Sequence, residues 1–192
     1  MPEIFGMHDN ANITFQKQES DIIISTVLSI QPRETGKGSS GKTPDETVRE
    51  LAGSILENLP VILSMSEAGS QTFQRDKDGL MDSMATFLGQ EMARFNSLLV
   101  VMDKTLVELD KAILGFSTMS KELDGMYSCF LNNQVPANWV EVAYPSLKPL
   151  SSWVQDLIDR VEFIRDWLKN DKPPSYWLAA FFFPQGFLTA VQ

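Results

Sequence analysis

Cysteine and histidine each occur once in this chain of 192 residues. A lone thiol, Cys129, excludes an internal disulfide and a cysteine-based zinc cluster, and it fits a reducing compartment. Its setting, Met126-Tyr127-Ser128-Cys129-Phe130-Leu131, is that of a buried thiol. His8 lies far off in a Gly-Met-His-Asp-Asn run, so a paired Cys–His nucleophile is not expected, and His8 reads as a structural donor. Basic residues are also scarce: 16 Lys and Arg against 25 Asp and Glu leave a net charge of -9. Phosphate backbones are held by clustered Lys and Arg, so no nucleic-acid partner is expected. The chain opens Met1-Pro2-Glu3, without the basic start and apolar core of a leader peptide. Its most apolar run, Trp177 to Val191, falls short of the roughly 20 residues a membrane helix needs and is interrupted by Pro184. No membrane partner is expected, and the run reads as buried protein. His-x-x-x-His, Cys-x-x-Cys and Gly-x-Ser-x-Gly patterns do not occur. Carboxylate pairs such as Asp156 with Asp159 fall on the polar side of a helical pattern and read as solvated. The residues themselves assign no catalytic, cofactor-binding or metal site.

What the chain does have is a long apolar seam. Leu88, Met92, Phe95, Leu99, Met102, Leu106, Leu109, Ile113 and Phe116 follow one another in alternating steps of four and three. That spacing keeps side chains on one helix face and matches a heptad repeat. It predicts a packing seam on a central helix over about 80–116, about 40 Å long at 1.5 Å per residue. Leu98, Val100, Val101, Val107 and Leu114 widen the stripe beyond what one partner helix would cover. The expected fold class is therefore mainly α, a multi-helix array around this element, with a second long helix near 151–169.

Along the chain, Met1 to Asn12 reads as an irregular lead-in and Thr14 to Ile30 as a first helix, despite its β-branched isoleucines. Gln31 to Gly41, rich in Gly and Ser, reads as a loop. The next helix has a marked start: Thr43 as cap, Pro44 in the first position and Glu46 completing a capping box. Its buried face is Val48, Leu51, Ala52, Ile55, Leu56 and Leu59. Ser66 to Gly79 is polar and loop-like. Ser117 to Asn133 reads as a helix with Met119, Leu123, Met126, Tyr127, Phe130 and Leu131 inward. Pro145 and Pro149 keep Pro136 to Pro149 out of helical geometry. Ser152 and Gln155 suggest a second capping box, opening a helix with Val154, Leu157, Val161, Ile164 and Leu168 inside and Asp156, Asp159, Arg160, Glu162 and Arg165 outside. After Pro173-Pro174, an aromatic segment runs to Gln192, too apolar for a solvated tail: either it closes the core of this chain or the chain is a piece cut from something longer, and the second reading is preferred.

One motif points elsewhere. Gly36-Lys37-Gly38-Ser39-Ser40-Gly41-Lys42-Thr43 fits the phosphate-loop pattern G-x-x-x-x-G-K-[ST] at every position, and Asp103 after Leu98-Leu99-Val100-Val101-Met102 imitates its acidic partner. In such a loop the helix has already begun at the Lys and Thr, whose N–H groups face the phosphates. Here Pro44 disfavours helical geometry at Thr43 and has no N–H to offer. Asp103 falls midway along the predicted long helix. The capping reading is preferred, and the small nucleotide-binding protein is kept as an alternative.

Four separated motifs carry a resemblance to dynein heavy chains. Pro2-Glu3-Ile4-Phe5-Gly6-Met7-His8 with Asn10-Ala11-Asn12-Ile13 resembles the junction after the sixth AAA+ module. Glu91-Met92, Arg94-Phe95-Asn96 and Leu98-Leu99 resemble the long helix that follows it. Tyr144-Pro145-Ser146-Leu147-Lys148-Pro149-Leu150 and Phe181-Phe182-Phe183-Pro184-Gln185-Gly186-Phe187-Leu188-Thr189 are similar to axonemal heavy chains in particular. Ala179-Ala180 depart from the Ser-Gly type pair usual there. The resemblance implies a fragment: residues 1–12 as the tail of the sixth module's lid, and 13–192 as the helical front half of the C-terminal region, truncated at 192. It implies a non-catalytic structural and regulatory part of a microtubule-based motor of the ciliary or flagellar axoneme, packed against the AAA+ ring of the same heavy chain. ATP and Mg²⁺ would be handled by other modules of the parent motor, with no cofactor in this fragment, and microtubules gripped by a distant stalk. A self-associating helical adaptor using the heptad seam is the other alternative.

Overall fold

The computed structural model describes residues 9–30, 43–170 and 172–191. His8, the loop at 31–41 and Gly36 to Lys42 of the phosphate-loop pattern lie outside the described residues. The described part of the protein is mainly helical: α1 (Asp9–Ile30), α2 (Pro44–Asn58), α3 (Ser83–Ile113), α4 (Lys121–Leu131), α5 (Ala137–Val140), α6 (Leu150–Lys169) and α7 (Pro184–Val191). Two compact units divide it, and the smaller holds α1 together with 146–148. Helix α1 starts at Asp9, five residues before the expected Thr14, so part of the expected irregular lead-in is helical.

The larger unit holds α2 to α7. Thr43 is extended (φ -73, ψ 156) and caps α2: its hydroxyl accepts from Glu46 N at 3.2 Å, while Glu46 Oε2 accepts from Thr43 N at 2.8 Å. Val48, Ala52 and Ile55 then face inward. The polar stretch before α3 is tied together rather than loose. Asp76 accepts from Asp78 N (2.9 Å) and Leu80 N (2.8 Å), and Gly79 takes φ +79. Arg75 and Met81 form an isolated antiparallel bridge.

Helix α3 touches α2, α4, α5, α6 and α7, so it is covered from several sides. It spans Ser83–Ile113 instead of about 80–116. The C-terminal difference has a clear cause. Gly115 turns into the left-handed region at φ +77, and its N–H and that of Phe116 close back on Ala112 O (3.1 Å) and Lys111 O (2.9 Å). This is the Schellman closure that ends a helix. Helix α4 likewise begins later than Ser117, at Lys121, where the Ser120 hydroxyl accepts from Leu123 N at 3.2 Å.

The second capping box does not form. Helix α6 starts at Leu150, two residues before the expected Ser152, with Pro149 in the cap position and no capping hydrogen bond from that residue's side chain. Asn133 caps it from outside. With φ 54, it accepts Leu150 N on its carbonyl (2.9 Å) and Ser151 N on its side chain (3.2 Å). A local motif could not reveal this, because the cap comes from the end of α4.

Candidate functional site

The predicted seam divides at its C-terminal end. Leu88, Met92, Phe95, Leu99, Met102, Leu106 and Leu109 are buried, Ile113 is half-buried, and Phe116 is 81% exposed beyond the helix end. Beside the seam Leu98 is buried, Val101 and Val107 are half-buried, and Val100 and Leu114 are exposed. Helix α6 buries Val154, Leu157, Val161, Ile164 and Leu168, together with Leu150, Trp153 and Trp167.

Two carboxylates expected in solvent, or not singled out, are inside. Glu91 on α3 is fully buried. It accepts from Phe182 N at 2.6 Å, Phe183 N at 3.3 Å and Arg94 Nη1 at 2.6 Å. Two successive backbone N–H groups converging on one anion make a small nest. Asp156 on α6, expected on the wet side with Arg160, is 5% exposed and accepts from Arg160 Nε at 2.7 Å. That guanidinium also donates to Ala179 O and lies 3.9 Å from the Tyr144 ring centroid. Both acids sit on the apolar face: Leu88, Glu91, Phe95 and Trp153, Asp156, Arg160 step by three and four. The signal is in the spacing.

These ties position the segment after α6. Phe181 and Phe182 are adjacent in the sequence and enter different aromatic groups. Phe182 meets Phe95 (4.7 Å between centroids) and Tyr144 (5.4 Å), beside the Tyr144–Trp153–Trp139 stack. Phe181 meets Phe87 and Phe187, each at 5.0 Å. Phe183 points the third way, under Arg94 at 5.6 Å. Ring pairs at these distances, edge-to-face except for the stacked Phe181–Phe187 pair, add to the burial of their area. Burial pushes the Tyr144 hydroxyl well above its usual value, opposed by the Arg160 guanidinium.

A third polar tie has no signature in the sequence pattern. The Asn96 side chain pairs with Leu63 as a neighbouring strand would, its Oδ1 accepting Leu63 N and its Nδ2 donating to Leu63 O, both at 2.7 Å. On α6, Leu168 O accepts from Gly69 N (3.0 Å) and the Thr72 hydroxyl (3.1 Å). A Cβ at Gly69 would stand 2.9 Å from Lys169 O, so the close approach needs glycine.

Chemically, these groups hold segments together. Among the described residues no cluster of three or more His, Cys, Asp or Glu could hold a metal ion, and no helix is long and apolar enough to cross a membrane. Thr43 is an extended cap, its hydroxyl engaged by Glu46 N. Asp103 is an exposed residue on α3. Cys129, expected to be buried, is half-buried, and burial raises its thiol pKa.

Residues 17–192 match the family model of the C-terminal domain of the dynein heavy chain. Human dynein axonemal heavy chain 6 is 52% identical over 188 residues, 98% of this chain. Rat dynein axonemal heavy chain 1 is 43% identical over 98% of the chain, and the Chlamydomonas reinhardtii dynein-1-beta heavy chain of the flagellar inner arm I1 complex is 36% identical over 99%. In each case the chain spans about 4% of the relative's own length.

Proposed function

This chain belongs to the family of dynein heavy-chain domains from the C-terminal region, and from that premise we propose that it is a non-catalytic structural and regulatory part of an axonemal dynein motor. In this reading residues 1–12 end the lid of the sixth AAA+ module, and 13–192 form the helical front half of the C-terminal region, packed on the AAA+ ring of the same heavy chain. ATP and Mg²⁺ are handled by other modules of the parent motor, which also carries the microtubule contact. The work is done in the axoneme of a cilium or flagellum.

One observation carries the non-catalytic part. The two carboxylates buried among the described residues, Glu91 and Asp156, are committed to bonds that hold one segment of the protein against another or fix a neighbouring side chain. An acid or base poised for chemistry needs a reacting group within reach, whereas Glu91 has its oxygens directed at backbone amides. The test is titration of the protein with Mg-ATP. No saturable binding is expected, and Lys42→Ala should change nothing; micromolar binding abolished by Lys42→Ala would establish the phosphate-loop alternative instead. Ring packing is tested by hydrogen exchange on the heavy-chain motor with and without residues 17–192. Protection lost on the AAA+ modules is expected; unchanged exchange there overturns the docking.

A further inference from the structure

Ten prolines punctuate the chain, and Pro44 alone among them follows a serine or threonine. That residue, Thr43, closes the Gly36–Thr43 pattern, which has no role in the motor reading. Its backbone is extended (φ -73, ψ 156), and its hydroxyl accepts from Glu46 N at 3.2 Å, near the long limit for such a bond. Thr43 to Thr47 are all exposed, and the first buried side chain of α2 is Val48. The first turn therefore opens without bringing apolar surface into water, the mark of a segment of low local stability. Opening breaks the reciprocal pair with Glu46, the bonds of Thr47 to Thr43 O and the bond from the Tyr127 hydroxyl to Asp45, all at the surface.

We propose that Thr43 is a phosphorylation site, modified by a serine/threonine kinase of the class that requires proline directly after the acceptor. A kinase cleft takes its substrate extended. Thr43 already is, and Pro44 fixes φ and has no N–H to satisfy. In the transfer Thr43 Oγ1 attacks the γ-phosphorus of Mg-ATP. The new O–P bond forms as the bond from that phosphorus to the β,γ-bridging oxygen breaks; ADP leaves with the electron pair, and the hydroxyl proton passes to the catalytic aspartate of the kinase. The phosphate brings a charge of about -1.5 to -2 at pH 7. Its oxygens reach the Glu46 amide that the hydroxyl held, so the start of α2 keeps an acceptor. The Glu46 carboxylate fares the opposite way. It sits 2.8 Å from the N–H of the residue that now bears the dianion, and like charges drive it off. Phosphorylation thus makes a reciprocal cap one-sided and unpins the backbone entering α2. The inference goes beyond the motor reading and is independent of the ring contact.

The experiment purifies the full heavy chain carrying this sequence from its own cells with phosphatase inhibitors present. Half is then dephosphorylated and treated with Mg-ATP and a recombinant proline-directed kinase. Fragmentation mass spectrometry assigns the phosphate to a residue, and hydrogen exchange follows the amides of Thr43 and Glu46. The expected result is phosphate on Thr43 in the cell-derived sample and its return on kinase treatment. That return should be at least a tenfold smaller in Pro44→Ala, which keeps the hydroxyl, and absent in Thr43→Val. Once phosphorylated, the Thr43 amide should exchange at least threefold faster while the Glu46 amide stays as slow as before. Cell-derived protein without phosphate on Thr43 overturns the site. Undiminished incorporation into Pro44→Ala overturns the kinase class and assigns the hydroxyl to an enzyme that reads Asp45 and Glu46 instead. Unchanged exchange at the Thr43 amide refutes the release of Glu46.

Discussion

Replacing Glu91 by glutamine tests whether the buried carboxylate holds the aromatic segment in place. Its Oε2 accepts from Phe182 N, and its Oε1 accepts from Phe183 N and Arg94. Glutamine must present an NH₂ where one oxygen was. Placed at Oε1, it meets the Phe183 amide and a guanidinium, both donors; placed at Oε2, it meets the Phe182 amide. Either way at least one amide donor in a closed site goes unsatisfied, which costs about 1–3 kcal/mol. Losing charge assistance on the remaining bond adds about 1 kcal/mol. The Arg94 side chain is 39% exposed, so solvent screens its share to about 1 kcal/mol at most. The sum is about 2–5 kcal/mol, a fall of roughly 4–20 °C in melting temperature for a protein of this size. Glu91→Ala, which leaves all three donors facing a void, should cost no less, about 3–5 kcal/mol. Urea denaturation supplies the magnitudes, and hydrogen exchange at the Phe182 and Phe183 amides supplies the location. A change under about 0.5 kcal/mol with unaltered exchange at both amides would refute the reasoning.

Leu99→Ala and Leu106→Ala each remove a side chain from a closed site and should cost about 2–5 kcal/mol, whereas Phe116→Ala should stay within about 0.5 kcal/mol; thermal melts of the three variants check the contrast, and equal losses would contradict the exposure of Phe116. Asn96→Leu adds apolar surface on α3 yet should destabilise by about 2–4 kcal/mol, because Leu63 loses partners for both its N–H and C=O. A gain of stability in denaturant would show that packing alone matters there. The pH prediction concerns Tyr127, whose pKa is raised from 10.0 to about 12 by burial and by Asp45, which accepts from its hydroxyl at 2.6 Å. A raised folded-state value means this contribution is fully present below pH 10.0 and is lost as pH climbs toward about 12. Tyr144 and Tyr176 are shifted in the same direction. Absorbance titration at alkaline pH should show late-ionising tyrosines, and Tyr127→Phe should flatten part of the stability loss; a curve identical to the parent's would remove Asp45 from the account.

What is legible in the sequence follows local chemistry. Thr43-Pro44-Asp45-Glu46 announces its own cap, since donor, acceptor and fixed φ lie within four residues. The steps of three and four through Leu88 and Leu99 locate an apolar face because helical geometry alone sets them. Pattern and structure part where the decisive partner is distant. Ser152 resembles a cap, but Asn133 reaches the amides of α6 first. Phe116 is a different case: the heptad count runs on through it, while the glycine that ends the helix, Gly115 at φ +77, stands next to it in the sequence and is itself a local stop signal. Asp156 reads as solvated because it is charged, although its spacing from Trp153 puts it on the inner face.

The polar ties explain why this array has one arrangement. Leucine and methionine ridges supply most of the stabilisation, yet they tolerate neighbouring registers, since a hydrophobic contact is not directional. A hydrogen bond is directional, and leaving a buried donor unmet is expensive. Asn96 fixes where residue 63 meets α3, Glu91 fixes where 182 and 183 cross it one turn earlier, and Leu168 fixes the loop at 69–72 against the end of α6. Each joins a helix to a non-helical segment, so sliding α3 by a turn would strand two segments at once. The α3–α4 connection is held differently, by the bonds of its own closing turn and the Ser120 cap.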